Sequence, residues 1–398
     1  MPKELISVSE AKKLIEEHIE ALSPIQVDIN EAVGLVLAED LFSLTDLPPF
    51  KQSSMDGYAL NFEEWQKHQE LHIDGESQAG LADLKPLSPQ SARRIFTGAA
   101  VPLGADTVVM QEKTCVNNGK LILTDSQLVK GQNVRLQGSE AKVNELALEK
   151  NAFLSPAAIG FIAGLGIKQI LAYPQPSISI ILTGNELQEP GKPLQLGQVY
   201  DANSFALKAA LKQMGIFKIN ILTAEDNLDI LSSTLKIALN QSDLVLLTGG
   251  VSVGDYDFVV QACKENEVEQ IFHKIKQKPG KPLLFGKKSK KYIFGLPGNP
   301  ASVLTCFYEY VYPAIGIFNN SRKDLIKIQA PLSTTQKKTF GLTQFLKGYY
   351  DGKMVHDLKA QESFRLSSFA KANCLIKLDE NQTEFIEGQI VEVHHLPC

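Results

Sequence analysis

Leu244 to Asp257 reads LVLLTGGVSVGDYD, an apolar run that passes into glycines, hydroxyls and two carboxylates. Leu244 to Thr248 are charge-free and apolar or β-branched, the composition of a strand covered on both faces. Gly249 and Gly250 at its carboxyl end would let backbone N–H groups approach a ligand closely, with Thr248 and Ser252 adding hydroxyls. Asp255 and Asp257 supply hard oxygen donors, suited to a cation such as magnesium or to steering an anion through one. The plainer alternative is a tight strand-to-helix turn in which Asp257 caps the next helix. A second run of the same kind, Ile178 to Leu182, ends in Thr183-Gly184-Asn185-Glu186. Ligands bind beyond the carboxyl ends of strands in open α/β sheets, so two such ends suggest one crevice in which Glu186, Asp255 and Asp257 share a divalent ion.

Two further stretches suit anions. Lys274, Lys276, Lys278 and Lys281 fall in HKIKQKPGKP, a local basic site in an otherwise acidic chain. If that segment is extended, the first three point one way, and Pro279-Gly280 turns the chain so that Lys281 reaches back. Gly295-Leu296-Pro297-Gly298-Asn299-Pro300 places Asn299 at a helix N-cap and Pro300 at the first helical position, a natural anion cradle. Asp56-Gly57, in QSSMDGYA, is by itself a turn signal. Together these residues describe an α/β domain that binds a phosphorylated small molecule with a divalent cation. They do not identify the reaction.

The elements that must hold them follow from pattern. At 398 residues the chain has room for two to four domains. Ser7 and Glu10 have capping-box spacing at the start of an amphipathic helix with Val8, Ala11, Ile15, Ile19 and Leu22 on one stripe. Glycine-punctuated, strand-like runs from Leu60 to about Leu136 suggest an inserted β-rich domain. From Pro176 strands and helices alternate, as in a largely parallel sheet covered on both faces, up to a last helix over 300–312. The remainder has strand-like runs near 325–330, 355–357, 374–378 and 390–393, which fits a small barrel or sandwich, and His394-His395 reads as part of a loose tail.

Composition excludes several classes. A net charge of −5 and a pI near 5.9 leave no bulk basic face to grip nucleic acid. The five cysteines include no Cys-x-x-Cys pair, against a disulfide framework and structural zinc. With no secretory leader and no apolar run long enough for a bilayer, a cytoplasmic protein is expected.

Seven motifs, PPFxxSxMDGYA, RxxTGxxxPxGADxVVMQE, TGxEL, DxN, TGGVSVGxxD, KPGKP and GLPGNP, occur in this order over nearly the whole chain. In this the chain resembles the molybdopterin molybdenumtransferase family of molybdenum cofactor synthesis. The resemblance implies a multidomain α/β plus β fold. An elongated N-terminal domain would comprise 1–48 and 139–175, an inserted β-rich domain 49–138, a three-layer α/β/α molybdopterin-binding domain 176–322, and a C-terminal β-barrel domain 323–398. It implies a homodimer with a shared cleft. The reaction would take adenylylated molybdopterin, made by an upstream adenylyltransferase, and molybdate to molybdenum cofactor and AMP with Mg2+. Carried over by motif, Asp56 and Thr97 would line the cleft from one domain, and Glu186, Asp226 and Asp257 from another. Lys274 and Lys278 would hold oxyanion oxygens, Pro297 and Pro300 would shape the wall, and Ser367 or Ser368 would reach in from the last domain. One position departs: Arg135-Leu-Gln-Gly138-Ser139-Glu140 ends in glutamate where the family commonly has aspartate. The alternatives are the preceding adenylyltransferase, which has a related third domain, and a non-catalytic scaffold on the same fold, as in gephyrin.

Overall fold

The structure, a computed structural model, describes residues 5–81, 85–250, 258–321 and 323–397. The chain forms two compact units, one of Gln26–Val33 and Leu37–Leu171, the other of Met1–Ile25, Gly34–Val36 and Ala172–Cys398. Each has its own sheets and cores.

In the first unit a six-stranded sheet runs in the order Thr107–Met110, Gly57–Leu60, Ser91–Ile95, Glu70–Ser77, Lys120–Leu123, Thr114–Asn117. Strand alternation sends Leu60, Leu71, Ala92, Val109 and Leu121 into one core and Ala59, Ile95 and Val108 into another. Gly57 pairs with Ile95 on one side and Met110 on the other, and a Cβ there would lie 1.8 Å from the Val109 carbonyl oxygen, so only glycine fits. This pairing brings Asp56, just before one strand, level with Thr97, just after its neighbour.

The second unit is built on β1 (Ile178–Thr183), β2 (Ile219–Ala224), β3 (Leu244–Thr248), β4 (Glu269–His273), β5 (Leu284–Lys288) and β6 (Lys291–Leu296), in the order β2-β1-β3-β6-β5-β4. The four strands β2, β1, β3 and β6 are parallel, and β5 runs antiparallel to its neighbours. One face packs on the helices Asn203–Gln213 and Pro300–Phe318, the other on Leu228–Gln241 and Phe258–Glu265. Charge-free runs such as ISIILT and LVLLT are buried on both faces for that reason.

The parallel strands end level. Leu182 is opposite Thr248, Thr248 opposite Leu296, and Thr183 opposite Ala224. Thr183 Oγ1 donates to the Thr248 carbonyl at 3.2 Å. Gly249, at φ +88°, passes so close to Thr183 that a Cβ would sit 2.6 Å from its hydroxyl and 2.7 Å from its carbonyl oxygen. Gly298 lies against Gly249 in turn, its Cβ position 3.8 Å from the Gly249 Cα.

The helix expected to stop at Tyr312 continues to Phe318 as three joined segments, with a π-helical turn at Phe307–Val311. Pro313 lacks an N–H for the preceding turn and its ring needs room, and widening that turn keeps the helix going. The resulting 19-residue apolar run has the length and composition to cross a bilayer, contrary to the sequence reading, but 72% of it is buried inside this unit.

The first helix, Val8–His18, packs with this unit. Val8, Ala11, Ile15 and Ile19 join the core that contains Phe307, Val311 and Phe318. The Leu22 N–H reaches the Phe318 carbonyl at 2.8 Å, and Ile6 bridges Ile275. The expected capping box is half made, with Ser7 accepting from Glu10 N–H at 3.1 Å.

The C-terminal strands form one sheet in the order Gln277–Lys278, Thr343–Tyr350, Cys374–Leu378, Ile390–His395, Lys327–Pro331, with Val355–Asp357 also on Thr343–Tyr350. A single bridge links Leu332 to Val355. His394-His395 is no loose tail: it lies in a strand, and His394 is 1% exposed. Its ring bonds Glu309 through Nδ1 and Glu392 through Nε2, both at 2.6 Å. Lys12 meets the other Glu309 oxygen at 2.6 Å, and Lys377 meets Glu392 at 3.1 Å. This network joins the first helix, the π-turn and the C-terminal sheet.

Burial alone would raise both carboxyls. The charged neighbours outweigh it, Lys12 and His394 at Glu309, and His394 and Lys377 at Glu392, which comes down to about 2 from an ordinary 4.5. A depressed carboxyl pKa stabilises the fold above the unfolded value and loses that contribution as pH falls. Denaturant midpoints should therefore fall between pH 4.5 and about 2, and less so in Glu392→Gln, measured by circular dichroism. Glu309→Ala should cost roughly 3–5 kcal/mol, since it strands buried partners. Gly249→Ala, which meets both a clash and a positive φ, should cost about 1–3 kcal/mol.

Candidate active site

The level strand ends open into a cavity of about 1600 Å³, ample for an elongated, phosphorylated ligand. Thr183, Gly184 and Glu186 line it after β1, Asp226 after β2, Gly249 and Gly250 after β3, and Pro297, Gly298 and Asn299 after β6. Lys278 and Lys281 line it from the Pro279-Gly280 turn. Four segments separated by many residues in sequence thus meet because the strands that carry them are neighbours.

Backbone form fixes each approach. Gly184 has φ +136°, and the Glu186 carboxylate folds back over it, 2.7 Å from where a Cβ would be. Asn185 accepts from the Asp226 N–H at 3.3 Å, tying the β1 and β2 loops together. Asn203 donates to the Gly298 carbonyl at 2.8 Å and so anchors the β6 loop. Gly280, at φ +87°, is packed against the Cys306 sulfur and the Gln277 amide, with no room for a side chain. Tyr310, from the π-turn, donates to the Gln277 side-chain amide oxygen Oε1, so the base of the lysine turn is held from the buried helix.

Several expected residues stand elsewhere. Lys274 does not line the cavity, and Lys276 lines a separate, smaller depression beside Ile6 and Glu10. The segment is not one extended strand, because Lys274 has φ +74°, and only Gln277–Lys278 is in a ladder, so the period-two alignment of the lysines fails. Thr248 is buried and serves through its carbonyl. Pro300 takes the first helical position outside the lining. Asn299 holds the N-cap position without a capping bond, and its amide Nδ2 donates to the Ser363 hydroxyl at 2.9 Å. The Ala301 N–H is likewise taken by the Ser363 carbonyl at 3.0 Å, which occupies part of the anticipated anion cradle. Ser367 is exposed away from the lining, and Ser368 is buried with its hydroxyl on the Ala360 carbonyl at 2.9 Å. Ser363 is the C-terminal serine that faces the cavity. Ser252, Asp255 and Asp257 lie outside the described residues.

Sequence reasoning also missed Gln277, Ser302, Gln344, Lys359, Gln361 and Phe364 as lining residues. None carries a local signal, since contacts made from distant strands put them there. Among the described residues no three His, Cys, Asp or Glu side chains cluster as a metal site.

In the other unit Asp56 and Thr97 form a compact pair. Asp56 accepts from the Thr97 N–H and from its hydroxyl, both at 2.8 Å. The backbone bond first, then the hydroxyl and the nearby Arg94, hold the exposed Asp56 carboxyl below its usual range. Arg94 lies over the Tyr58 and Phe96 rings and donates to the Gly57 carbonyl at 2.9 Å. Glu140 donates its N–H to the Leu47 carbonyl at 2.9 Å, and its carboxylate is exposed.

Comparison with known proteins agrees along the chain. Residues 6–166 match the MoeA N-terminal region (domain I and II), residues 179–316 a probable molybdopterin binding domain, and residues 329–396 the MoeA C-terminal region (domain IV). The molybdopterin molybdenumtransferase of Haemophilus influenzae is 36% identical, covering 92% of each chain. That of Staphylococcus epidermidis is 32% identical over 98% of this chain and 95% of its own. A molybdopterin biosynthesis MoeA protein from Pyrococcus horikoshii superposes with a TM-score of 0.83 at 28% identity, over 98% of this chain and 99% of that one. With three matched regions in order and relatives similar from end to end, this chain belongs to the molybdopterin molybdenumtransferase family.

Proposed function

We propose that this chain is a transferase that inserts molybdenum into molybdopterin, taking adenylylated molybdopterin and molybdate as substrates and releasing AMP. The observation that carries the reading is the cavity at the strand ends, lined together by Lys278, Lys281, Glu186, Asp226, Gly249 and Gly250. Both substrates are anions, so the work asked of the protein is electrostatic. Lys278 and Lys281 gather molybdate, an oxyanion that needs no side-chain base to become one. Gly249 and Gly250 leave the backbone bare where a pyrophosphate would lie.

Glu186 and Asp226 are exposed carboxylates with no cationic partner among the described residues, the hard-oxygen donor set Mg2+ prefers. They are the described residues that would hold the ion, with Asp255 and Asp257 the other donors expected from the sequence. Bound there, Mg2+ would neutralise phosphate charge and ease cleavage of the phosphoanhydride. Asp56 and Thr97 enter the reading through the family likeness. A cytoplasmic homodimer, supplied by an adenylyltransferase, belongs to the same proposal, as does a barrel-like C-terminal domain, which the Leu332–Val355 bridge supports.

AMP release from adenylylated molybdopterin should require both molybdate and Mg2+, and release indifferent to molybdate would remove the transferase reading. Glu186→Gln should slow release by roughly 10²-fold and raise the Mg2+ requirement. Lys278→Ala should raise KM for molybdate about tenfold with a smaller change in kcat, read from initial rates across a molybdate titration.

A further inference from the structure

Lys347 sits inside the strand Thr343–Tyr350 and is 4% exposed. Its ammonium donates to three backbone carbonyls, Ala360 at 2.8 Å, Glu362 at 3.2 Å and Arg365 at 3.1 Å. An ammonium has three N–H donors, and all three are used on one loop. That loop is strained at its start. Lys359 and Ala360 have φ of +54° and +35°, which non-glycine residues seldom adopt and which persist only where the surroundings over-determine them. The Ala360 carbonyl takes a second bond from the Ser368 hydroxyl, and Gln361 bonds the Lys347 backbone through both N–H and carbonyl at 2.9 Å. The Lys359 N–H donates to the Asp357 carboxylate at 3.1 Å, and the outcome is that Lys359 lines the cavity as an exposed residue whose ammonium is in no ion pair among the described residues.

The same strand runs parallel to Gln277–Lys278, with Lys278 opposite Gln344. One strand therefore sets two cavity lysines, Lys278 through the ladder and Lys359 through the Lys347 ammonium. We propose that Lys347 is a positioning residue which holds Lys359 at the cavity as a further cation for the incoming oxyanion. This deepens the transferase reading and rests on it, the oxyanion being the molybdate of that reaction.

A double-mutant cycle on the full chain tests it, using AMP release from adenylylated molybdopterin across a molybdate titration, with amide hydrogen exchange of residues 359–365. Lys347→Met and Lys359→Met should each raise KM for molybdate roughly tenfold and change kcat less than about threefold. The pair combined should be no worse than Lys359→Met alone, because both act through one ammonium. Only Lys347→Met should speed exchange in the loop. Effects that multiply, an unchanged KM in Lys347→Met despite a loosened loop, or an equal loss for both substrates would each overturn the proposal. Should Lys347→Met not fold, Lys347→Arg keeps the charge but aims a planar fork at three carbonyls. It should raise KM partway and show the same non-additivity, and additivity would overturn the proposal. A wild type that releases AMP without molybdate would instead remove the underlying transferase reading.

Discussion

The level ending of the parallel strands is the constraint on which the site depends. Backbone hydrogen bonds hold Leu182, Thr248 and Leu296 in one row, so whatever follows each strand emerges at one edge. At that edge the loops touch, Gly249 on Thr183 and Gly298 on Gly249, with no space for a Cβ at the first contact. The glycines are needed because the ladder brings backbones within contact distance. The carboxylates of Glu186 and Asp226 then hang from loops whose origins the sheet has already set, and their separation in sequence is of no consequence.

The lysine side of the cavity is fixed by different means. Lys278 and Lys281 lie on a turn that belongs to no strand of the central sheet. Gln277–Lys278 is instead the edge of the C-terminal sheet, and the turn is buttressed by Tyr310 and Cys306 from the buried helix. The lysines and the carboxylates that line the cavity therefore rest on two separate frameworks within one unit. They come together because the helix Pro300–Phe318 packs against the central sheet while its π-turn reaches the C-terminal one.

How far the sequence reveals this depends on how local the cause is. Charge-free runs such as Ile178–Thr183 and Leu244–Thr248 declare themselves, because double burial excludes charge over a whole strand. Helix caps at Ser7, Ser155 and Asn227 are equally local and are present. Thr343–Tyr350, the longest strand of the C-terminal sheet, is invisible to pattern because Lys347 occupies one of its buried positions, and its carbonyl partners lie 13 to 18 residues away. The same strand's loop presents Ser363 to the cavity in place of Ser367 or Ser368. Lys274 fails for a conformational reason, a left-handed backbone that no neighbour in sequence demands. Glu186 and Lys278 also stand out locally, whereas Asp226, a single aspartate after a strand, is singled out only by the family motif.

The widened turn at Phe307–Val311 has a consequence for how this molecule tolerates change in length. Glu309 and Tyr310 are consecutive and both buried, yet one clamps Lys12 and His394 while the other braces Gln277. Each residue of an α-helix turns by about 100° relative to the last, so deleting any one residue there would restore ordinary winding and swing one half of the helix against the other. The helical segments before and after the turn could then not both keep their packing while the two grips are held. This five-residue stretch is thus a phase marker for the whole unit: substitutions inside it act on single contacts, whereas insertions or deletions would throw the lysine turn and the terminal sheet out of step together.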